Sequence, residues 1–142
     1  FPGLVDHREE LETIDGVSYI NDAASSSLDC AASSFCGYQN IHWIAGGDAP
    51  VDTAGLSALK NVSQRIKAGY LFGESGRQIA DELDSDVSLF ASLEEATLAA
   101  HQTALTGDAV IFAPGCPSEN AGQGDAFRNL IMALPGERDD ED

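Results

Sequence analysis

Basic residues are scarce in this chain: 7 lysines and arginines stand against 24 aspartates and glutamates, for a formal net charge of −17. Such a surface repels phosphate backbones and anionic lipid heads, which argues against nucleic-acid and membrane-surface binding. Lys60 and Lys67 are the only lysines, and no GxxxxGK[ST] phosphate loop exists. No GxGxxG follows a strand-like run either, so the dinucleotide fingerprint is missing. Cysteine is limited to Cys30, Cys36 and Cys116, with no CxxC spacing. That excludes a zinc site or disulfide framework of the usual kind and fits free thiols in a reducing, cytoplasmic compartment. No apolar run approaches roughly 18 residues and no signal peptide leads the chain, so the expectation is a protein that neither spans nor leaves a membrane. The first residue is Phe1 rather than Met, which suggests an excised or processed piece.

What is present is a substantial apolar content, 43% of residues, drawn mostly from Ala, Leu, Val and Ile rather than aromatics, which make up 7%. That content supports one packed domain rather than disorder. The acidic tail Glu137-Arg138-Asp139-Asp140-Glu141-Asp142 has no apolar residue to bury. The expected organisation is therefore one domain over residues 1–136 and a frayed tail over residues 137–142.

The apolar period switches repeatedly between two and 3.6. Strands are predicted at Val17–Ile20, Ile41–Ala45, Ala68–Phe72, Val87–Phe90 and Ala109–Phe112, several of them near-continuous apolar runs of the kind buried on both faces. The stretch Glu10–Gly16 is expected to add an edge strand beside the first. Helical spacing appears over Leu28–Phe35, at Leu56, Leu59 and Val62, and at Ile79 and Leu83. It recurs over Leu93, Ala96, Leu98, Ala100 and Leu105, and again over Phe127, Leu130, Ile131 and Leu134. Ser92 with Glu95 three residues on reads as a capping box, and Pro135-Gly136 as a helix stop. Strand–helix alternation of this kind predicts an α/β fold: a Rossmann-like, doubly wound, mostly parallel sheet with helices on both faces.

In such sheets the ligand crevice lies beyond the carboxyl ends of the strands. Those ends are Asn21–Ser27, Gly46–Pro50, Gly73–Gly76 and Pro114–Ser118, all small, polar and turn-rich. A serine of Ser25-Ser26-Ser27 suits a helix N-cap. His7, His42 and His101 are scattered, and His42 alternates into a buried strand as a core residue would. No GxSxG elbow or carboxylate cage is present, so the residues themselves describe a ligand-binding domain with no catalytic residues and no metal site.

The loops also follow a recognisable order: Phe1-Pro2-Gly3-Leu4-Val5-Asp6-His7-Arg8, Gly16–Asp22, Ile44-Ala45-Gly46-Gly47, Gly107–Cys116 and Gly124-Asp125-Ala126-Phe127-Arg128. In this the chain resembles the C-terminal domain of the Mur ligases of peptidoglycan synthesis, most nearly the UDP-N-acetylmuramoylalanine–D-glutamate ligases, over nearly all its length except the acidic tail. The resemblance implies a cytoplasmic ADP-forming ligase in which ATP converts a carboxylate to an acyl phosphate that the amine of D-glutamate attacks. It implies ATP or ADP as cofactor, with Mg2+ held by the two preceding domains, which are the expected partners together with nucleotide and amino acid. By the same resemblance Arg8 and Asp22, with His7 beside them, contact the nucleotide, and Ser26 and Ser118 lie near the amino-acid substrate. Asp22 can accept hydrogen bonds from ribose hydroxyls and Arg8 can pair with phosphate. A helix-capping role for Asp22 and a surface ion pair for Arg8 are the plainer alternatives.

Three departures from the family pattern bear on activity. Ala24 stands where the family carries a nucleotide-binding lysine, and Pro50 aligns near a second lysine. The segment Ser118–Gly124 is shorter than the family's and lacks its two aromatics. The resemblance therefore admits a ligase domain that is not catalytic alone, or a degenerate, non-catalytic binding or interaction module.

The charge imbalance carries its own expectation. Self-repulsion among carboxylates opposes the compact state at low ionic strength. Salt shortens the Debye length from roughly 30 Å at 0.01 M to about 3 Å at 1 M. The thermal unfolding midpoint should rise with sodium chloride, most steeply at the dilute end, and deleting residues 137–142 should shrink the rise only in part. A midpoint flat or falling with salt contradicts this.

Overall fold

The computed structural model describes residues 9–22, 28, 31, 32, 35, 37–47, 56–82, 86–113 and 122–134. Six strands form one sheet: β1 (Glu9–Ile14), β2 (Val17–Asn21), β3 (Ile41–Gly47), β4 (Ile66–Phe72), β5 (Val87–Phe90) and β6 (Ala109–Phe112). Their order across the sheet is β1-β2-β6-β3-β4-β5. β1 pairs antiparallel with β2 and every other pairing is parallel. The fold is the α/β Rossmann-like arrangement that the alternation predicts, with the expected edge strand in place.

The edge hairpin forms because Asp15 and Gly16 both take positive φ, 54° and 82°. A two-residue turn of that hand matches the right-handed twist of the flanking strands and pairs Ile14 with Val17. The turn is also tied down from outside: Thr106 Oγ1 donates to the Asp15 carbonyl at 2.9 Å, and Gly107 N–H to the Gly16 carbonyl at 2.9 Å.

Helices follow the strands, and those with bounds among the described residues are α1 (Leu56–Asn61), α2 (Gly73–Glu82), α3 (Leu93–Thr103) and α4 (Gly122–Met132). Side chains alternate across the sheet and divide the core in two. Trp43 and Ala45 point to the face covered by Leu28, Ala31 and Phe35 (the first two helical), by Leu59 of α1 and by Ile79 of α2. Ile44, Tyr70 and Phe112 point to the other face, under Ala96 and Ala100 of α3 and Phe127 and Ile131 of α4. β6 is buried at all four positions, as its unbroken Ala-Val-Ile-Phe run requires.

The expected cap forms at Ser92, with the return bond from Glu95 going to Ala91, one residue before the cap. Ser92 Oγ accepts the Glu95 amide at 3.2 Å, while Glu95 Oε1 reaches back to the Ala91 amide at 3.4 Å. Some details differ from expectation: Phe35 lies in a turn, and Val62 and Leu134 fall just beyond α1 and α4. α3 ends at Thr103, so Leu105 falls beyond it and is 62% exposed, and Leu98 faces outward at 39%. The turn-rich Gly73–Gly76 is the first turn of α2 rather than a loop, so β4 runs directly into its helix. Leu83, the Pro135-Gly136 stop, the three cysteines and the acidic tail lie outside the described residues. No helix among the described residues is long and apolar enough to cross a membrane.

Gly46 has φ +143°, and a Cβ there would overlap the backbone carbonyl of Phe72. β3 and β4 can approach at their carboxyl ends only because that position has no side chain. Gly37 also has positive φ, +91°, but open space around it. Gly46→Ala should therefore cost about 2–5 kcal/mol, summing conformational strain and overpacking, against about 1–2 kcal/mol for Gly37→Ala. Urea unfolding of both variants checks this; equal losses would show that β3 relaxes away from β4.

Candidate functional site

The chain leaves β2, β3 and β4 toward one face and leaves β5 and β6 toward the other. Because β6 lies between β2 and β3, neighbouring strands part in opposite directions on both its sides. A crevice at the carboxyl ends of β2, β6 and β3 follows from that topology, and it is where open α/β sheets bind ligands.

The residues closing these strands are Asn21-Asp22, Gly46-Gly47 and Phe112-Ala113. Asp22 directly follows β2, and its amide donates to the Phe112 carbonyl at 2.8 Å, so β2 and β6 stay joined to the lip of the crevice. On the other side, Ala113 donates its amide to the Ile44 carbonyl at 3.0 Å. The Ala113 carbonyl accepts from Trp43 Nε1 at 2.9 Å, and Trp43 is held edge-on by Phe35, with ring centroids 5.7 Å apart at 79°. The chain turning out of β6 is thus clamped by an indole in the core. At the neighbouring pair of ends, Ser75 Oγ donates to the Gly47 carbonyl at 3.1 Å.

Of the residues expected at the site, Asp22 is placed at the crevice, buried to 5% exposure. His7, Arg8, Ser26 and Ser118 lie outside the described residues, as do Ala24 and Pro50. The clamp by Trp43 was not legible beforehand. An indole in a buried strand shows that its N–H needs a partner, but not that the partner is a backbone carbonyl at the end of β6.

A second polar group lies at the opposite, amino ends of the strands. His42 is fully buried and sits between Asp108 Oδ2, 2.8 Å from Nε2, and the Tyr70 hydroxyl, 2.9 Å from Nδ1. Ionised Asp108 can only accept, so Nε2 carries a proton toward it. The same Asp108 oxygen accepts from Lys67 Nζ at 3.1 Å and from the Leu105 amide at 3.0 Å. The Tyr19 hydroxyl and His101 Nδ1 share a hydrogen bond at 2.8 Å, and burial together with the charge of Asp15 pushes the phenol up to about 12. This network ties β3, β4 and the entry to β6 together. As expected for a core histidine, His42 has its partners, and it stands away from the crevice.

No protein-family model matches the chain. Curated relatives are nevertheless clear. The chain is 30% identical over 147 residues to a UDP-N-acetylmuramoylalanine–D-glutamate ligase of Bradyrhizobium diazoefficiens, covering 96% of this chain and 31% of that protein. It is 32% identical over 146 residues to the protein of that name from Paramagnetospirillum magneticum, covering 94% of this chain and 31% of that one. The chain therefore spans about a third of the length of these relatives. Among solved structures, it superposes with TM-score 0.59 on a domain of a putative UDP-N-acetylmuramate:L-alanyl-gamma-D-glutamyl-medo-diaminopimelate ligase from Haemophilus ducreyi. That match has 13% identity and covers 89% of this chain and 98% of that one. It also superposes on Escherichia coli FolC in complex with ADP, with TM-score 0.57 and 18% identity over 93% of this chain and 31% of that one. The last two likenesses are likenesses of fold.

The Asp108 group makes stability depend on pH. Burial alone would raise its carboxyl, but the Leu105 amide, His42 and Lys67 outweigh that and hold it below the usual carboxylate range. A carboxylate depressed in the folded state contributes stability that is present above its unfolded value of about 4 and is lost as pH falls through the folded value. Asp108→Asn should cost about 2 kcal/mol at pH 7 and flatten the acid limb of stability below about pH 4. Urea midpoints from pH 7 to 2 check this; an unchanged acid limb would assign the acid loss to other carboxylates.

Proposed function

We propose that this chain, a Mur-ligase-like domain, serves as the nucleotide- and amino-acid-contacting C-terminal domain of an ATP-dependent UDP-N-acetylmuramoylalanine–D-glutamate ligase and has no activity alone. The observation that carries the reading is the near end-to-end similarity to enzymes of that name, of which this chain spans about a third. The placement of Asp22 supports it: its backbone amide is bonded to the Phe112 carbonyl at the end of β2, and a carboxylate at that position can accept hydrogen bonds from ribose hydroxyls. His7 and Arg8 would join it at the nucleotide, and Ser26 and Ser118 would lie toward D-glutamate.

The residues fit a nucleoside better than a phosphate. The ends of β2, β3 and β6 bring a carboxylate, two glycines and backbone groups but no cation, and Ala24 and Pro50 supply none. The phosphate-binding loop and the Mg2+ would belong to the other domains, where ATP supplies the activated phosphoryl group. In this reading the present chain orients the ribose, closes the cleft and helps to exclude water. A second reading, a non-catalytic interaction module on the same fold, is favoured by those missing lysines. The two readings separate on whether the gene encodes a GxxGK[ST]-bearing domain upstream of Phe1.

Two measurements on the chain as it stands test the reading. With ATP, magnesium, UDP-N-acetylmuramoylalanine and D-glutamate it should release no phosphate above a buffer control. In calorimetric titrations ADP should bind weakly, Asp22→Ala should weaken it further, and Ala24→Lys should tighten it by roughly tenfold through a restored charge-assisted contact. Turnover abolished by Asp22→Ala overturns the claim of no activity. Affinity that neither substitution moves overturns the placement of nucleotide at this crevice.

A further inference from the structure

The sheet switches faces a second time. β4 delivers α2 to one face and β5 delivers α3 to the other, so another cleft opens where these two strands end. A cavity of about 330 Å³ lies there, lined by Gly73, Glu74, Arg77, Leu89, Phe90 and Ala91. It adjoins the crevice at the end of β3, where Gly47 bridges to Gly73, but its lining comes from α2 and the β5 end and does not include Asp22.

The lining is chemically unusual for this chain. Acids outnumber bases 24 to 7, yet Arg77 is exposed and makes no hydrogen bond or ion pair among the described residues. Glu74, also exposed, precedes it by three residues on α2, so opposite charges sit on one side of that helix. Opposite them Leu89 is 54% exposed, although it belongs to a strand. The rim is fixed rather than collapsible. Phe90 stacks on Tyr70 with ring centroids 6.0 Å apart, and the Ala91 amide is engaged by Glu95.

From this we infer that the β4–β5 cleft binds a free α-amino acid with an apolar side chain, its carboxylate on Arg77, its ammonium on Glu74 and its side chain against Leu89. A guanidinium presents a planar pair of donors matched to a carboxylate. A simple anion would use Arg77 but be repelled by Glu74, whereas a zwitterion satisfies both. The volume is at the small end for ligand pockets, typically about 300–1,000 Å³, which suits one amino acid and not a nucleotide. Covering Leu89 supplies the apolar part of the affinity.

The test is an amide NMR titration of the full chain with L-leucine, L-leucinamide and 4-methylpentanoate, the last two lacking the anionic and the cationic group in turn. Leucine should move the amides of Gly73, Glu74 and Ala91 saturably in the millimolar range. Each analogue should bind at least about tenfold more weakly. Arg77→Ala should abolish leucine binding with the unfolding midpoint unchanged, and Glu74→Gln should weaken leucine but not 4-methylpentanoate. No saturable shift at about 50 mM leucine, shifts that survive Arg77→Ala, or an analogue that binds as tightly as leucine overturns the inference. Shifts centred on Asp22 and Ala113 also overturn it, and they bear on the crevice instead.

Discussion

Everything in this sheet depends on the insertion of β6 between β2 and β3. Its four residues pair with β2 on one side and β3 on the other, and among the described residues no other strand joins the β1–β2 hairpin to the β3–β4–β5 half. Ala109, Val110, Ile111 and Phe112 supply apolar contact to both faces, Ile111 to one and Val110 and Phe112 to the other. The same insertion creates the crevice, since strands flanking β6 send their chains to the opposite side. Fold and candidate site therefore share one cause.

The polar contacts at the two ends of β6 do different work. At its carboxyl end the Asp22 and Ala113 amides and the Trp43 indole hold the lips of the crevice with neutral hydrogen bonds. At its entry Asp108 gathers three donors, from His42, Lys67 and Leu105, on one carboxylate oxygen. A charge drawn in that far is favourable only while all its partners stay. The entry is accordingly rigid and intolerant, while the carboxyl end is held by neutral hydrogen bonds.

Much of this was legible in the sequence, for local reasons. Runs such as Ile41–Ala45 and Ala109–Phe112 are apolar without alternation because parallel strands are covered twice, and Ser92 with Glu95 marks a helix start through bonds three residues apart. The order of the strands was not legible, because apolar period says which segments are strands and nothing of which are neighbours. Leu98 and Leu105 carry the same apolar signal as Ala96 and Ala100 but face outward, since burial is decided by what packs opposite. Of the candidate site, Asp22 could be placed at a strand end from the pattern alone. The cavity beside Arg77 could not, because its walls come from separate elements, α2 and β5.

The central position of the last strand also bears on how the chain is made. Until residue 112 has been synthesised, β2 and β3 each present an open edge of unpaired backbone groups along an apolar strand. Such edges invite pairing with other chains, and contacts joining the start of a sequence to its end form late because closing a long loop costs entropy. Pairing of residues 109–112 closes both of those edges at once and leaves β1 and β5 at the margins of the described sheet. A net charge of −17 works against that pairing between chains, because like-charged chains repel one another.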